Sequence, residues 1–357
     1  MTVTIDHWID RDLPPGGTYD VRLPVSESYT GVSLHIPIRV VRSPEPGPVV
    51  SVTAALHGDE LNGTGAIRQL INDSTLHLRR GSLIFVPVLN LLAFDRHSRY
   101  LPDRRDLNRC FPGSPTGSSA ARVAHQIFTE ILGRATHAID LHTAAVRRTN
   151  YPQVRGDLRD DDVREMATAF GAEVIVDCPG VPGTLRREST ARGCPTIILE
   201  GGEVWKVEPS IVATAVRGVR NVLSHLDMID APIETPQTQV VVSQTRWVRA
   251  AHGGFLHFHV TPGQTVRRGQ PLATNTDLIG HEIGVLTSPF DGVLLGMTTL
   301  PSVAPGEPVC HIGRLAGKTI RRDLNRGRVE ADGIEQQAVD DLRSNILAVD
   351  PDEVGDV

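Results

Sequence analysis

The sequence predicts an α/β protein whose helix-covered sheet is followed by a small all-β module, and three observations carry that prediction. Between Pro48 and about Leu226, β-branched runs (VVSVTAAL, SLIFVPVLN, THAIDLH, EVIVDC and TIILE) alternate with helical patterns, the arrangement of a sheet packed under helices. At 231 to 239 the composition changes to APIETPQTQ, with the prolines and polar residues of a linker. From 246 to 313 short strands are punctuated by Gly and Pro, as in GGFLHFHVTPGQTVRRGQPL and TSPFDGVLLGM, which suggests two related halves of a β module.

Taken in order, residues 1 to 230 are expected to form the main domain with an N-terminal β segment, 231 to 245 a linker, 246 to 314 the all-β domain, and 315 to 357 an acidic tail. Within the first, Ser118 or Ser119 can cap a helix carrying Val123, Ile127 and Ile131 at four-residue spacing. Pro209 suits the first turn of another helix bearing Ile211, Ala215, Val222 and Leu226. From Ala331 the tail holds eight acidic residues and one arginine, the composition of a solvated, fraying end.

At 357 residues, 40% hydrophobic and 22% charged, the chain is long enough for two domains with a sizeable core. A net charge of −6 argues against nucleic-acid binding, which needs a basic stripe or patch. Cys110, Cys178, Cys194 and Cys310 lack any C-x-x-C pairing, so they read as reduced thiols in a cytoplasm. The chain shows no apolar leader region and no run of about 18 uncharged apolar residues, so neither export nor a membrane span is expected.

The chemistry concentrates where apolar strands end. The segment A-L-H-G-D-E-L-N-G puts His57 and Glu60 three residues apart just after a strand, and D-L-H-T puts His142 at the end of another. Open α/β sheets bind ligands at such edges. Two imidazoles and a carboxylate, with a fourth position left for water, make a catalytic zinc set. Hydrolysis also needs a base outside that set. T-I-I-L-E-G-G-E delivers Glu200 at a third strand end, where a capping or salt-bridging role is the competing reading; Glu203 lies further into the loop. Between Glu60 and His142 runs S-R-Y-L-P-D-R-R-D-L-N-R-C-F-P-G. There Arg99, Asn108 and Arg109 can hold an anionic group or polarise a carbonyl, while Arg104 and Arg105 sit beside Asp103 and Asp106 in a charged turn. Asp140, two positions before His142 on the same strand face, can orient an imidazole or close the strand end with a hydrogen bond.

H-G-D-E-x-N-G, D-L-N-R-x-F-P-G, D-L-H-T and E-G-G-E, in that order, resemble the succinylglutamate desuccinylase/aspartoacylase family, relatives of the zinc carboxypeptidases, over roughly residues 30 to 314. The resemblance implies a zinc-carboxypeptidase-like mixed sheet flanked by helices, with a smaller C-terminal domain of barrel-sandwich-hybrid type. It implies one zinc ion per subunit on His57, Glu60 and His142, and Glu200 as general base activating the water. Arg99 matches the family's carbonyl-polarising arginine across an interval two residues longer than the family's, which keeps Arg104 and Arg105 as substitutes. Asn108 and Arg109 match the pair that holds the substrate carboxylate. A further substrate arginine corresponds to Arg186 or Arg187, with Arg187 taken as the match.

The activity so implied is hydrolysis of a small N-acyl carboxylate; the alternatives are a carboxypeptidase for short peptides and a non-catalytic zinc-binding protein. Aspartoacylases supply a substrate-contacting tyrosine from the C-terminal domain, but no tyrosine follows Tyr151 here, so the substrate stays open. No lysine lies between Lys206 and Lys318, which excludes a covalent carrier role for the β module. It is expected to cover the active-site mouth or support a homo-oligomer.

Overall fold

The apolar runs all become strands of one mixed sheet. The computed structural model describes residues 5 to 27 and 30 to 315; the acidic tail therefore lies outside the described residues, apart from Leu315. An antiparallel pair, β1 (Thr18–Glu27) and β2 (Ser33–Arg42), leads into β3 (Val49–Ala54), α1 (Asn62–Ile71) and β4 (Ser82–Val86). After α2 (Ser119–Gln126) come β5 (His137–His142), β6 (Arg148–Gly156), α3 (Asp161–Phe170), β7 (Val174–Asp177), α4 (Leu185–Ala191), β8 (Thr196–Gly202) and α5 (Pro209–His225). The C-terminal strands are β9 (Val240–Arg249), β10 (Gly254–Phe258), β11 (Pro271–Thr276), β12 (Glu282–Thr287), β13 (Gly292–Thr298) and β14 (Pro308–Leu315).

At the centre β4, β3, β5 and β8 run parallel, with β2 and β1 antiparallel on one side and β6 antiparallel to β8 on the other. Because helices or chain cover both faces, β3 and β4 are buried along their whole length, which explains why they read as unbroken apolar runs. Val52, Phe85, Leu141 and Leu199 pack with Ile67 of α1, Phe170 of α3 and Val219 of α5 in one core. Ile84, Val86 and Ala138 face a second core with Val123 and Ile127 and the N-terminal Trp8 and Leu13. Ser118 is the cap of α2, its hydroxyl accepting from Ala121 N at 3.3 Å, and Pro209 opens α5 as expected.

The segment 231 to 239 carries no helix or strand, but residues 240 to 245, expected to complete a linker, are already the first part of β9. That strand runs parallel to β7. It continues antiparallel to β14, which pairs with β13, and β13 returns to pair with the first half of β6. The second half of β6 pairs with β7. The five strands thus close a ring, lined by Val174, Val176, Val242, Val293 and Leu295. A separate four-stranded sheet holds β12, β11, β10 and the two-residue strand Ser302–Val303.

Candidate active site

Where β3 ends, the chain swings out of the sheet through Ala55, at φ 50°, and the loop is pinned from below. Gly58 N–H donates to Ser98 O at 2.9 Å and Asn90 Nδ2 to Leu56 O at 3.1 Å. A Cβ on Gly58 would lie 2.1 Å from the Ala93 carbonyl carbon, so only glycine permits this approach. The loop delivers His57 and Glu60 to meet His142, the last residue of β5. All three are buried, and one ligand atom from each lies within 4.8 Å of the others. The Glu60 carboxylate sits between the imidazoles, Oε1 2.6 Å from His57 Nδ1 and Oε2 2.8 Å from His142 Nδ1, and accepts from Thr143 N–H at 3.1 Å.

Each imidazole is also held from behind. His57 Nε2 is 3.2 Å from Asp106 Oδ1, and His142 Nε2 is 2.8 Å from Asp140 Oδ2. Carboxylates only accept, so each backing pair holds a proton on Nε2, and the Nδ1 of both rings faces the Glu60 carboxylate at the centre. Thr53 donates to the other Asp140 oxygen at 2.7 Å; Thr53 and Asp140 are partners in the β3–β5 register. Asp106 likewise accepts from Arg99 Nη2 at 2.9 Å and from Asn108 N–H at 2.9 Å. Burial alone would raise the Glu60 carboxyl, but the facing charges of His57 and His142 hold it well below its usual range. Asp106 is lowered in the same way, its burial outweighed by His57 and Arg99. Burial would lower both imidazoles, yet Glu60 and Asp106 raise His57, and Asp140 and Glu60 raise His142 further.

Glu200 stands opposite His142 in the β5–β8 register. Its Oε2 accepts from Asn150 Nδ2 at 3.0 Å, and its Oε1 lies 3.7 Å from Arg155 Nη1. Glu203 is turned away into an ion pair with Lys206 at 3.3 Å. The loop beyond is tied to α1 by a reciprocal pair, Asn62 Nδ2 to Glu208 Oε2 at 2.8 Å and Glu208 N–H to Asn62 Oδ1 at 2.6 Å.

Of the expected arginines, Arg99 reaches the site, with Nη1 3.7 Å from Glu60 Oε1, while Arg104 and Arg105 are exposed. Asn108 and Arg109 share one short helical turn, Leu107–Arg109. Arg109 is half exposed, and Asn108 Oδ1 accepts from Leu185 N–H at 2.9 Å. Arg187 is not brought in: it is exposed and donates to Gly180 O at 3.1 Å. The residue turned inward at the start of α4 is its neighbour Arg186, buried with Nε and Nη1 unpartnered among the described residues. Burial lowers its pKa, and Cys178, Arg155 and Glu200 are near enough to act on it. Sequence reasoning missed Asn150 and Arg155 on β6 altogether, and gave Asp106 no role beyond a charged turn.

Two imidazole nitrogens and a carboxylate converging in a buried site, each imidazole backed by a second carboxylate, suit a divalent metal ion. Comparison with known proteins gives that site its class. Residues 46–226 match the model of the succinylglutamate desuccinylase/aspartoacylase catalytic domain. The chain belongs to that family, whose members are deacylases and deacetylases of N-acyl amino acids. A curated relative, the N-alpha-acetyl-L-2,4-diaminobutyric acid deacetylase of Halomonas elongata, is 27% identical over 311 residues, covering 83% of this chain and 90% of the relative. The solved succinylglutamate desuccinylase/aspartoacylase from Rhodobacter sphaeroides is 28% identical with a TM-score of 0.74, over 88% of this chain and 100% of that one. The product-bound ectoine utilization protein EutE (DoeB) from Ruegeria pomeroyi, 24% identical, has the same fold with a TM-score of 0.76, covering 85% and 97% of the two chains.

Proposed function

We propose that this chain is a zinc-dependent deacylase that hydrolyses the amide bond of a small N-acylated amino acid or related carboxylate, with one zinc ion per subunit on His57, Glu60 and His142. The observation that carries this reading is the position of Glu200: it faces His142 across the sheet without joining the converging donor set. A hydrolytic site needs just such a carboxylate beside its ligands. Zinc, when bound, acts as a Lewis acid that makes water nucleophilic near neutral pH and polarises the scissile carbonyl.

The chain's own groups do the rest. Glu200 takes the water proton and returns it to the departing nitrogen, so that amide and water leave as carboxylate and amine. Arg99, held by Asp106, directs its guanidinium toward the carbonyl oxygen as charge gathers there. Asn108 and Arg109 hold the substrate carboxylate. Arg186, with buried donors in want of an acceptor, takes the place expected for Arg187. The C-terminal strands are read as a barrel-sandwich-hybrid domain bordering the site and favouring small substrates, and the four free thiols suit a reducing cytoplasm.

The test is amine release from a panel of N-acetyl and N-succinyl amino acids, N-acetyl-L-2,4-diaminobutyrate and short peptides, with zinc content measured alongside. Release from N-acyl amino acids that a chelator abolishes and zinc restores is expected. Release from peptide C-termini alone would make the protein a carboxypeptidase, and zinc content without hydrolysis a binding protein.

A further inference from the structure

We infer that Asn150 is the residue that positions Glu200 for proton transfer, and that strand β13 of the C-terminal half sets Asn150 in place. The inference rests on the reading of Glu200 as the general base, and its geometry is direct. Asn150 Nδ2 donates to Glu200 Oε2 at 3.0 Å. The donor comes from outside the parallel core: Asn150 belongs to β6, which lies between β8 and β13, pairing with Gly202 on one side and Gly296 on the other. The β6–β8 register slips between Glu200 and Gly202. That irregularity re-aims a side chain and brings Asn150 alongside the carboxylate.

The opposite face of Asn150 is fixed by what β13 lacks. A Cβ on Gly296 would stand 2.4 Å from Asn150 Oδ1, so the amide lies where any other residue would put a side chain. With Oδ1 held over the Gly296 backbone, the amide presents its N–H to Glu200. The remaining carboxylate oxygen faces Arg155, 3.7 Å away, so the two oxygens meet different neighbours and the plane of the carboxylate is defined. A carboxylate that must accept a proton and hand it on within one turnover gains from such a fixed plane. Asn150 acts through Glu200 and is a positioning residue.

Steady-state kinetics on the best N-acyl substrate of the panel, with zinc content and a crystal structure of each variant, tests the inference. Asn150→Ala is expected to lower kcat about tenfold or more while KM stays within about twofold and zinc content is unchanged. The isosteric Asn150→Asp, which removes the donor without changing shape, is expected to lose at least as much. In the Glu200→Gln background Asn150→Ala should cost nothing further, and in its crystal structure the Glu200 carboxylate of Asn150→Ala should have rotated. Gly296→Ala should lower kcat in the parent and much less in Asn150→Ala; equal losses in both backgrounds would overturn the link to β13. An inactive Glu200→Gln alongside a fully active Asn150→Ala and Asn150→Asp overturns the positioning role and leaves the base intact. An active Glu200→Gln refutes the base itself.

Discussion

Asp106 joins three parts of the site: it backs His57, anchors Arg99 and caps the turn that carries Asn108 and Arg109. Asp106→Asn should therefore weaken metal binding by about 10- to 100-fold, read by chelator competition, and also lower turnover of the metal-saturated protein by loosening Arg99. Arg99→Ala leaves the donor set intact and should lower kcat by about 10²–10³ with a smaller change in KM; equal losses in both would deny it the carbonyl. Glu200→Gln should keep its zinc and lose about 10²–10⁴ in kcat. The converging donors could be read from the chain because His57 and His142 each close an apolar run and Glu60 follows His57 by three residues. Asp106 could not, since nothing local tells a carboxylate that pairs with Arg104 or Arg105 from one that reaches 49 residues back to His57. That Arg186 and not Arg187 turns inward has an equally small cause: α4 begins at Leu185, and one residue of helix rotates a side chain by about 100°.

At the scale of elements, β6 is the strand that sequence reasoning did not find. Its residues RTNYPQVRG contain a proline and four polar or charged side chains, Arg148, Asn150, Gln153 and Arg155, that serve the site or the ring, so it lacks the alternation or apolar run that marks a strand. What made it illegible is what it contributes. Within the ring, His311 of β14 stacks flat on Trp247 of β9, centroids 4.6 Å apart, with Arg148 of β6 over the same indole. Burial first, and then the charges of Arg155 and Arg148, push the His311 imidazole down to about 3. Below its ordinary 6.5 the unfolded chain binds a proton that the folded chain refuses, so folding stability falls as pH falls. The slope from this group is about 1.4 kcal/mol per pH unit between roughly 6.5 and 3. Urea unfolding of the parent and His311→Gln at pH 7 and pH 5 should show a steeper loss in the parent; parallel curves would mean that His311 is protonated in the folded state.

For the whole molecule, the α/β class and the positions of its core strands along the chain followed from hydrophobic pattern, because strands buried on both faces carry that pattern with little interruption. The joining of the C-terminal strands to the same sheet did not, since pairing partners far apart in sequence leave no periodic trace. Among the described residues no helix is long and apolar enough to cross a membrane. Metal bound only by the folded chain should stabilise it, by about 2.7 kcal/mol at a free concentration a hundred times the dissociation constant. Thermal unfolding with and without chelator would show this as a shift in Tm.

The stretch 231 to 239, free of helix and strand, joins two pieces that meet again through the β7–β9 and β6–β13 ladders. A protease cutting there would sever the backbone without separating the products. The nicked chain should elute from a sizing column as one particle and keep its turnover, and two co-expressed polypeptides divided at that point should assemble into a working enzyme. Covalent continuity at the junction would then be dispensable, and a single gene is only one of the ways to encode this active site.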